Sequence, residues 1–386
     1  MPPNQKNISN SHLPATIDSK GMMDIQEDFP ENFAETLKSY KSFSMPVEVK
    51  IGPKTTVRYV SPENVVIAGL GGSAIGGDLV RRWQYQKLRV PLEVCRGYEL
   101  PGYVDHRSLV LVVSYSGETE ETLSCFVEAA RRGAMIVGVA SMGRLIRFCS
   151  RLGYPLMRVP AGYPPRSALP FILAAIITIL DKSGLLKDYQ DEVKDAVKVL
   201  EKIRDETRRV VSPDSNLAKS LAVQLRGSTP VIYADRVFGE VALRWKDQFN
   251  ENRKIHARAE VFPELNHNEM VGWEGTTHIH RRSTVVLLRD SDEGEPTKAR
   301  IDFTRDVLKS KFIRIHELYP EGKTLLSKIL YFVYLGDMIS LYSAMDAAID
   351  PFETVIINKI KDRLKETVNL SSRLDIEIEE IAGKQD

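Results

Sequence analysis

The sequence predicts an α/β protein of two domains, each a parallel β-sheet flanked by helices, and three observations carry that expectation. Short apolar runs alternate with helix-like stretches along the whole chain, the pattern of a parallel sheet covered on both faces. A length of 386 residues suits two domains of ordinary size. The halves also look like diverged copies. Residues 109–113, a polar loop, a helix and residues 135–139 are mirrored by residues 285–288, a loop, a helix and residues 312–315.

Taken in order, residues 1–22 are polar and rich in Asn, Ser and Pro, so poor order is expected there. Asn64-Val65-Val66-Ile67-Ala68 reads as a buried strand, followed by a glycine turn and a helix over 73–86. Residues 92–96, 109–113 and 135–140 give further strands. Between 185 and 209 the chain is strongly charged, with Val193, Val197, Leu200 and Ile203 at helical spacing, and Ser212-Pro213-Asp214 stops it. Strands are expected again over 230–233, 284–288 and 312–315. The expected divisions are an N-terminal segment 1–34, a first domain 35–184, a helical connector 185–215, a second domain 216–366 and a tail 367–386.

Composition narrows the function classes. Lys and Arg number 53 against 52 Asp and Glu, so there is no electrostatic case for nucleic acid or an anionic membrane. The longest apolar run, 168–180, contains Pro170 and Thr178 and is too short to span a bilayer. With no apolar signal segment at the N-terminus, a cytoplasmic protein is expected. Cys95, Cys125 and Cys149 show no pairing or metal-ligand spacing and read as reduced core residues.

The most informative stretch is Val113-Ser114-Tyr115-Ser116-Gly117-Glu118-Thr119, between an apolar strand and a helix over 120–130. A helix N-terminus presents unpaired N–H groups and a partial positive charge, and so holds phosphate. Three hydroxyls at i, i+2 and i+5 add donors without net charge, which suits a phosphorylated sugar. The mirrored loop, Arg289-Asp290-Ser291-Asp292-Glu293, carries carboxylates that would repel phosphate, so one site per chain is expected. Gly69-Leu70-Gly71-Gly72-Ser73-Ala74 fits the dinucleotide pattern G-x-G-x-x-A. That alternative needs an acid at the end of the second strand, where Arg96-Gly97 stands instead. A tight strand-to-helix turn is the plainer explanation, with Ser73 as a further sugar or phosphate contact.

Gly71-Gly72-Ser73 together with Ser114-Tyr115-Ser116-Gly117-Glu118-Thr119 resembles the sugar isomerase (SIS) domain. Pro165-Arg166-Ser167-Ala168-Leu169-Pro170, Asn250-Glu251-Asn252-Arg253-Lys254-Ile255, Pro263-Glu264-Leu265-Asn266-His267-Asn268 and residues 354–364 narrow the likeness to the bifunctional phosphoglucose/phosphomannose isomerases. The likeness runs from about residue 35 to 366. It implies two SIS domains of flavodoxin-like αβα form, hexose 6-phosphate substrates, and a homodimer with the active site between the domains and against a second subunit. By the same likeness Gly72, Ser73, Ser114, Ser116 and Thr119 bind substrate, chiefly its phosphate.

Glu251 ends a helical pattern with the apolar stripe Val237, Val241, Trp245 and Phe249. It would otherwise read as an ordinary capping glutamate; the resemblance makes it the base that moves a proton between C1 and C2. A fixed carboxylate in that role contributes roughly 10²–10⁴-fold. The resemblance has His267 reach the site across the dimer interface and open the sugar ring, a task suited to a group that titrates near neutral pH. Lys361 assists ring opening, Arg166 stabilises the enediolate, and Thr354 leaves room for both C2 epimers. No cofactor is implied. His278-Ile279-His280 would head a strand without a third ligand of suitable spacing, so no metal site is expected. A non-catalytic sugar-phosphate sensor and a nicotinamide-dependent dehydrogenase are the alternatives.

Overall fold

In the computed structural model, which describes residues 17–53, 55–275 and 277–383, the chain divides into two compact domains. The first comprises Glu31–Tyr189 with the described part of Thr354–Asp386, the second Gln190–Glu353 with the described part of Met1–Pro30.

The first domain holds β1 (Glu48–Lys50) and β2 (Thr56–Arg58), an antiparallel pair, and a five-stranded sheet. That sheet contains β3 (Asn64–Ala68), β4 (Leu92–Cys95), β5 (Ser108–Val113), β6 (Met135–Ala140) and β7 (Leu156–Arg158) in the order β4-β3-β5-β6-β7. All of its pairings are parallel, with Val65 opposite Leu109 and Leu109 opposite Met135. Every residue of β5 and β6 is buried, which is why these strands read as unbroken apolar runs. Helix Gly72–Gln84 packs on Leu169–Lys182, while Glu120–Arg131 and Arg144–Leu152 pack on the C-terminal helix Leu370–Ile381.

The second domain has β8 (Thr229–Asp235), β9 (Arg258–Phe262), β10 (Ser283–Leu288) and β11 (Arg314–Leu318) in the order β11-β10-β8-β9, again all parallel. Read as β9-β8-β10-β11, it repeats the order β4-β3-β5-β6. The internal duplication seen in the sequence is therefore a duplication of topology.

Several elements depart from the sequence expectation. The charged stretch after 185 forms helix Gln190–Thr207, but it is no free connector. It buries Ala196, Val199, Leu200 and Ile203 and lies along the core helix Leu325–Asp346. Asp195 on this helix accepts hydrogen bonds from Lys323 N (2.9 Å) and Thr324 N (3.1 Å) at the start of that core helix. Thr324 and Ser327 close the same helix start with a reciprocal capping box. The residues expected as a tail form helix Leu370–Ile381, whose Leu374 and Ile378 are buried in the first domain. Arg131, Arg144 and Arg151 pair with Glu377, Asp375 and Glu379 around that contact. Exposed pairs of this kind contribute little, so the two apolar anchors do most of the docking. Thr354 and helix Val355–Thr367, expected in the second domain, group with the first.

The expectation of poor order over 1–22 lies, for residues 1–16, outside the described residues; Met22–Glu27 is a helix with Met22 and Met23 buried. Phe312, taken as the start of a strand, is 92% exposed at φ +58°, and β11 begins two residues later. His278 and His280 lie in a short helix, Thr277–His280, instead of heading β10. Cys95 is only half-buried, while Cys125 and Cys149 are core residues, and all three are free thiols.

Helix Leu325–Asp346 is long and apolar enough to cross a membrane by length and composition, yet it is buried within the second domain. Trp245 packs flat against it where Gly336 has no side chain, and the indole Nε1 donates to Phe332 O at 2.7 Å. A Cβ on Gly336 would lie 2.1 Å from that nitrogen. Gly336→Ala should therefore destabilise the protein by about 1–3 kcal/mol through overpacking. Chemical denaturation measures it; wild-type stability would mean that the indole yields without cost.

Candidate active site

The hydroxyl loop leaves β5 at Val113 and reaches helix Glu120–Arg131 at Thr119. Ser114 N donates to Val139 O (3.0 Å), carrying the β5–β6 pairing one residue further, and Gly117 N then donates back to Ser114 O (3.0 Å). Gly117 sits at φ +65°, and a Cβ there would lie 1.8 Å from Met142 O, so only glycine fits this turn. Ser114 Oγ donates to Thr119 Oγ1 (3.0 Å), and Ser116 Oγ accepts from Glu118 N (3.3 Å). Thr119 occupies the N-cap position, but its side chain does not cap the helix. The first amides of that helix thus have no side-chain cap from Thr119. Glu118, the acid within the loop, is paired with Arg144, whose backbone N also donates to it (2.8 Å).

Ser73 joins this group from the neighbouring strand end. Its Oγ accepts from Tyr115 N at 3.2 Å in a buried contact. Ser73 opens helix Gly72–Gln84, whose N-cap Gly71 has φ +51° and whose first turn holds no acid. Thus Ser73, Ser114, Ser116 and Thr119 converge beyond the C-terminal ends of β3 and β5, where ligands bind in open parallel sheets.

Arg166 is brought to the same place. A Cβ on Gly72 would lie 2.6 Å from Pro165 O and 2.9 Å from Arg166 N, so the absent side chain at 72 admits the Pro165–Ser167 turn. Arg166 is buried there. Tyr115 holds the approach to this turn: its phenol donates to Pro160 O (2.9 Å) and accepts from Tyr163 N (2.9 Å). Burial pushes that phenol above its ordinary pKa, which keeps it a neutral donor. Sequence reasoning passed over Tyr115; an aromatic placed between two loop hydroxyls was the available signal. The dinucleotide alternative loses ground here. Gly72 is small for the sake of Pro165, and Arg96 at the end of β4 pairs with the buried Asp78 where that alternative needs an acid.

In the second domain, helix Gly239–Gln248 runs into a π-helical turn, Phe249–Arg253, that carries Glu251. The turn is anchored on both sides of that residue. Asn252 Nδ2 donates to the buried Ser340 Oγ (2.8 Å), and Asn250 Oδ1 accepts from Ala257 N (3.3 Å) just before β9. Lys254 closes the turn at φ +60°, and its ammonium donates to the carbonyl of Glu251 and to that of Glu353. Burial draws the Arg253 guanidinium below its ordinary pKa.

His267 lies at the far side of the same strand. It caps the turn Glu264–Asn266 after β9 ends at Phe262, and it is exposed. Glu251 precedes β9 and His267 follows it, with five strand residues between at roughly 3.3 Å each. Lys361 is exposed on helix Val355–Thr367, none of whose residues is buried, and Thr354 stands at that helix's N-cap without a side-chain cap bond.

The loop after β10 shows what became of the second copy. Arg289 is fully buried and holds Glu293, Asp302 (2.7 Å) and Glu317 (2.8 Å), while Lys328 holds Asp290 (2.7 Å) and Asp292 (2.6 Å). Carboxylates of the protein take the cations there.

Gly117→Ala tests the hydroxyl loop. A side chain in the left-handed region costs about 1–3 kcal/mol and must also displace the Met142 carbonyl. Affinity for inorganic phosphate or a hexose 6-phosphate, measured by calorimetry, should fall by at least about 10-fold. Unchanged affinity would place the phosphate elsewhere.

Comparison with known proteins gives the family and the fold. Residues 214–364 match the family model of the bacterial phospho-glucose isomerase C-terminal SIS domain. The bifunctional phosphoglucose/phosphomannose isomerase of Caldicellulosiruptor bescii is 39% identical over 305 residues, covering 79% of this chain and 90% of the relative. That of Aquifex aeolicus is 33% identical over 305 residues, covering 78% and 91%. A crystal structure of a hypothetical protein from Thermus thermophilus superimposes with a TM-score of 0.66 at 17% identity, covering 92% of this chain and 93% of the other, and so shares the fold. The duplicated parallel sheets, the single hydroxyl loop and these relatives together make the chain a member of the bifunctional phosphoglucose/phosphomannose isomerase family.

Proposed function

We propose that this chain interconverts glucose 6-phosphate and mannose 6-phosphate with fructose 6-phosphate through a cis-enediol, without a metal. The observation that carries the substrate class is the group of four hydroxyls at a helix start with no side-chain cap. It offers a phosphate many neutral donors, leaving the sugar end to choose the substrate. Glu251 moves the proton between C1 and C2, Arg166 stabilises the charge on the enediolate, His267 and Lys361 open the ring, and Thr354 leaves space for either C2 epimer.

His267 reaches the active site of a second copy, beside that copy's Glu251. The placing of Glu251 before β9 and of His267 after it supports this reading. Beside His267 lies a groove of about 680 Å³ lined by Met270, Val271, Phe303 and Val307, with Val271 and Phe303 exposed. Helix Val355–Thr367 likewise exposes Val355, Ile356, Ile357 and Ile360. Apolar surface of this kind calls for cover, and a homodimer supplies it. The setting is soluble and cytoplasmic, and no nucleic acid or membrane takes part.

A sensor without catalysis needs the hydroxyl loop alone and gives no account of the anchored Glu251 turn. The two readings separate in one experiment. Glu251→Gln and His267→Ala chains, each expected to retain under about 1% of turnover alone, are co-expressed and assayed on both aldose phosphates with a chelator present. If each site combines Glu251 of one chain with His267 of the other, half of the sites in mixed dimers are intact, and about a quarter of wild-type activity returns. No recovery would place His267 outside a shared site, and loss of wild-type activity in the chelator would establish a need for metal.

A further inference from the structure

We propose that Lys254 is a positioning residue for the isomerisation, an inference that rests on Glu251 as the proton carrier. Lys254 adopts φ +60° and ψ 37°, a left-handed conformation that glycine or asparagine fills more readily at a helix end. A lysine in that place needs a reason, and its ammonium supplies one. Nζ donates to the carbonyl oxygen of Glu251 and, at 2.5 Å, to that of Glu353. One cation thus ties the peptide bearing the proton carrier to the last residue of the second domain, one bond before Thr354. A cation is also favourable beside carbonyls at the end of a helix.

The far anchor is itself fixed. Glu353 Oε1 pairs with Lys20 Nζ (3.1 Å), which lies 4.3 Å from the centre of the Phe352 ring. Asp350 accepts from Phe352 N (2.9 Å) and from Ser19 Oγ (2.5 Å). The near anchor stands between the bonds of Asn250 and Asn252. Lys254 therefore joins two pinned backbone points and sets the place of the Glu251 peptide between them. Proton transfer between adjacent carbons tolerates little displacement of the carboxylate, so the bond bears on turnover more than on affinity.

Lys254→Met removes the donors while keeping the stem and the backbone strain, and Lys254→Arg restores donors. In Lys254→Met, kcat should fall about 10- to 100-fold for both aldose phosphates, with KM and Tm near wild type, and Lys254→Arg should recover most of the loss. Hydrogen exchange across Phe249–Arg253 should quicken in Lys254→Met and not in Lys254→Arg. Unchanged exchange in that turn overturns the proposal whatever the activity. So does a loss of turnover that merely follows a lowered Tm. Glu251→Gln run in parallel separates the two levels. If it is inactive while Lys254→Met is fully active, the role of Lys254 falls and that of Glu251 stands; an active Glu251→Gln removes the proton carrier itself.

Discussion

The carboxylate of Asp337 is fully buried in the middle of the apolar helix Leu325–Asp346, and the arrangement of the second domain follows from the need to satisfy it. An unpaired charge in such a place is prohibitive, and removing one partner of a buried pair typically costs about 3–5 kcal/mol. Its two oxygens take hydrogen bonds from Arg244 Nε (3.0 Å) and Nη2 (2.7 Å), Gln248 Nε2 (2.7 Å) and Gln26 Nε2 (3.3 Å). Arg244 and Gln248 are one turn apart on helix Gly239–Gln248, so these bonds fix both the rotation and the height of that helix. Trp245 fits the notch at Gly336 only in the same rotation. Glu251 follows Gln248 by three residues, and Asn252 bonds Ser340, one turn beyond Asp337. The carboxylate proposed to move the proton is thus placed by a buried charge that never meets substrate.

The first domain meets a different constraint, the tight packing of the hydroxyl loop proposed to hold the phosphate. Gly117 and Gly72 are the small residues that make it possible, the first by allowing a left-handed turn and the second by admitting the Arg166 segment. Duplication then leaves a second loop at the equivalent strand end. Arg289 and Lys328 are committed there to five carboxylates of the protein, so that loop serves folding.

The sequence made the buried strands plain because burial on both faces demands unbroken apolar runs, as in β3, β5 and β6. The edge strand β9 and the short strands β1, β2 and β7 escaped it. β9 mixes Arg258 and Glu260 with Ala259, Val261 and Phe262 and lies at a sheet edge, where one side needs no partner. Phe312 misled in the other direction: it stands exposed in a left-handed turn after helix Glu295–Ser310, two residues before β11 begins. The hydroxyl loop was legible because its spacing reflects local geometry. The return of the C-terminal helix to the first domain was not, because Leu374 and Ile378 find their contacts more than two hundred residues back in sequence.

The central claim is that a single proton carrier serves both epimers through a common enediol. Incubating fructose 6-phosphate with the protein in deuterium oxide and following the products by NMR tests it most directly. The account predicts that glucose 6-phosphate and mannose 6-phosphate both appear with part of their C2 hydrogen drawn from the solvent as deuterium, because a proton held on a carboxylate exchanges in competition with its return. Aldose phosphates formed without deuterium, or no aldose phosphate at all, would contradict it.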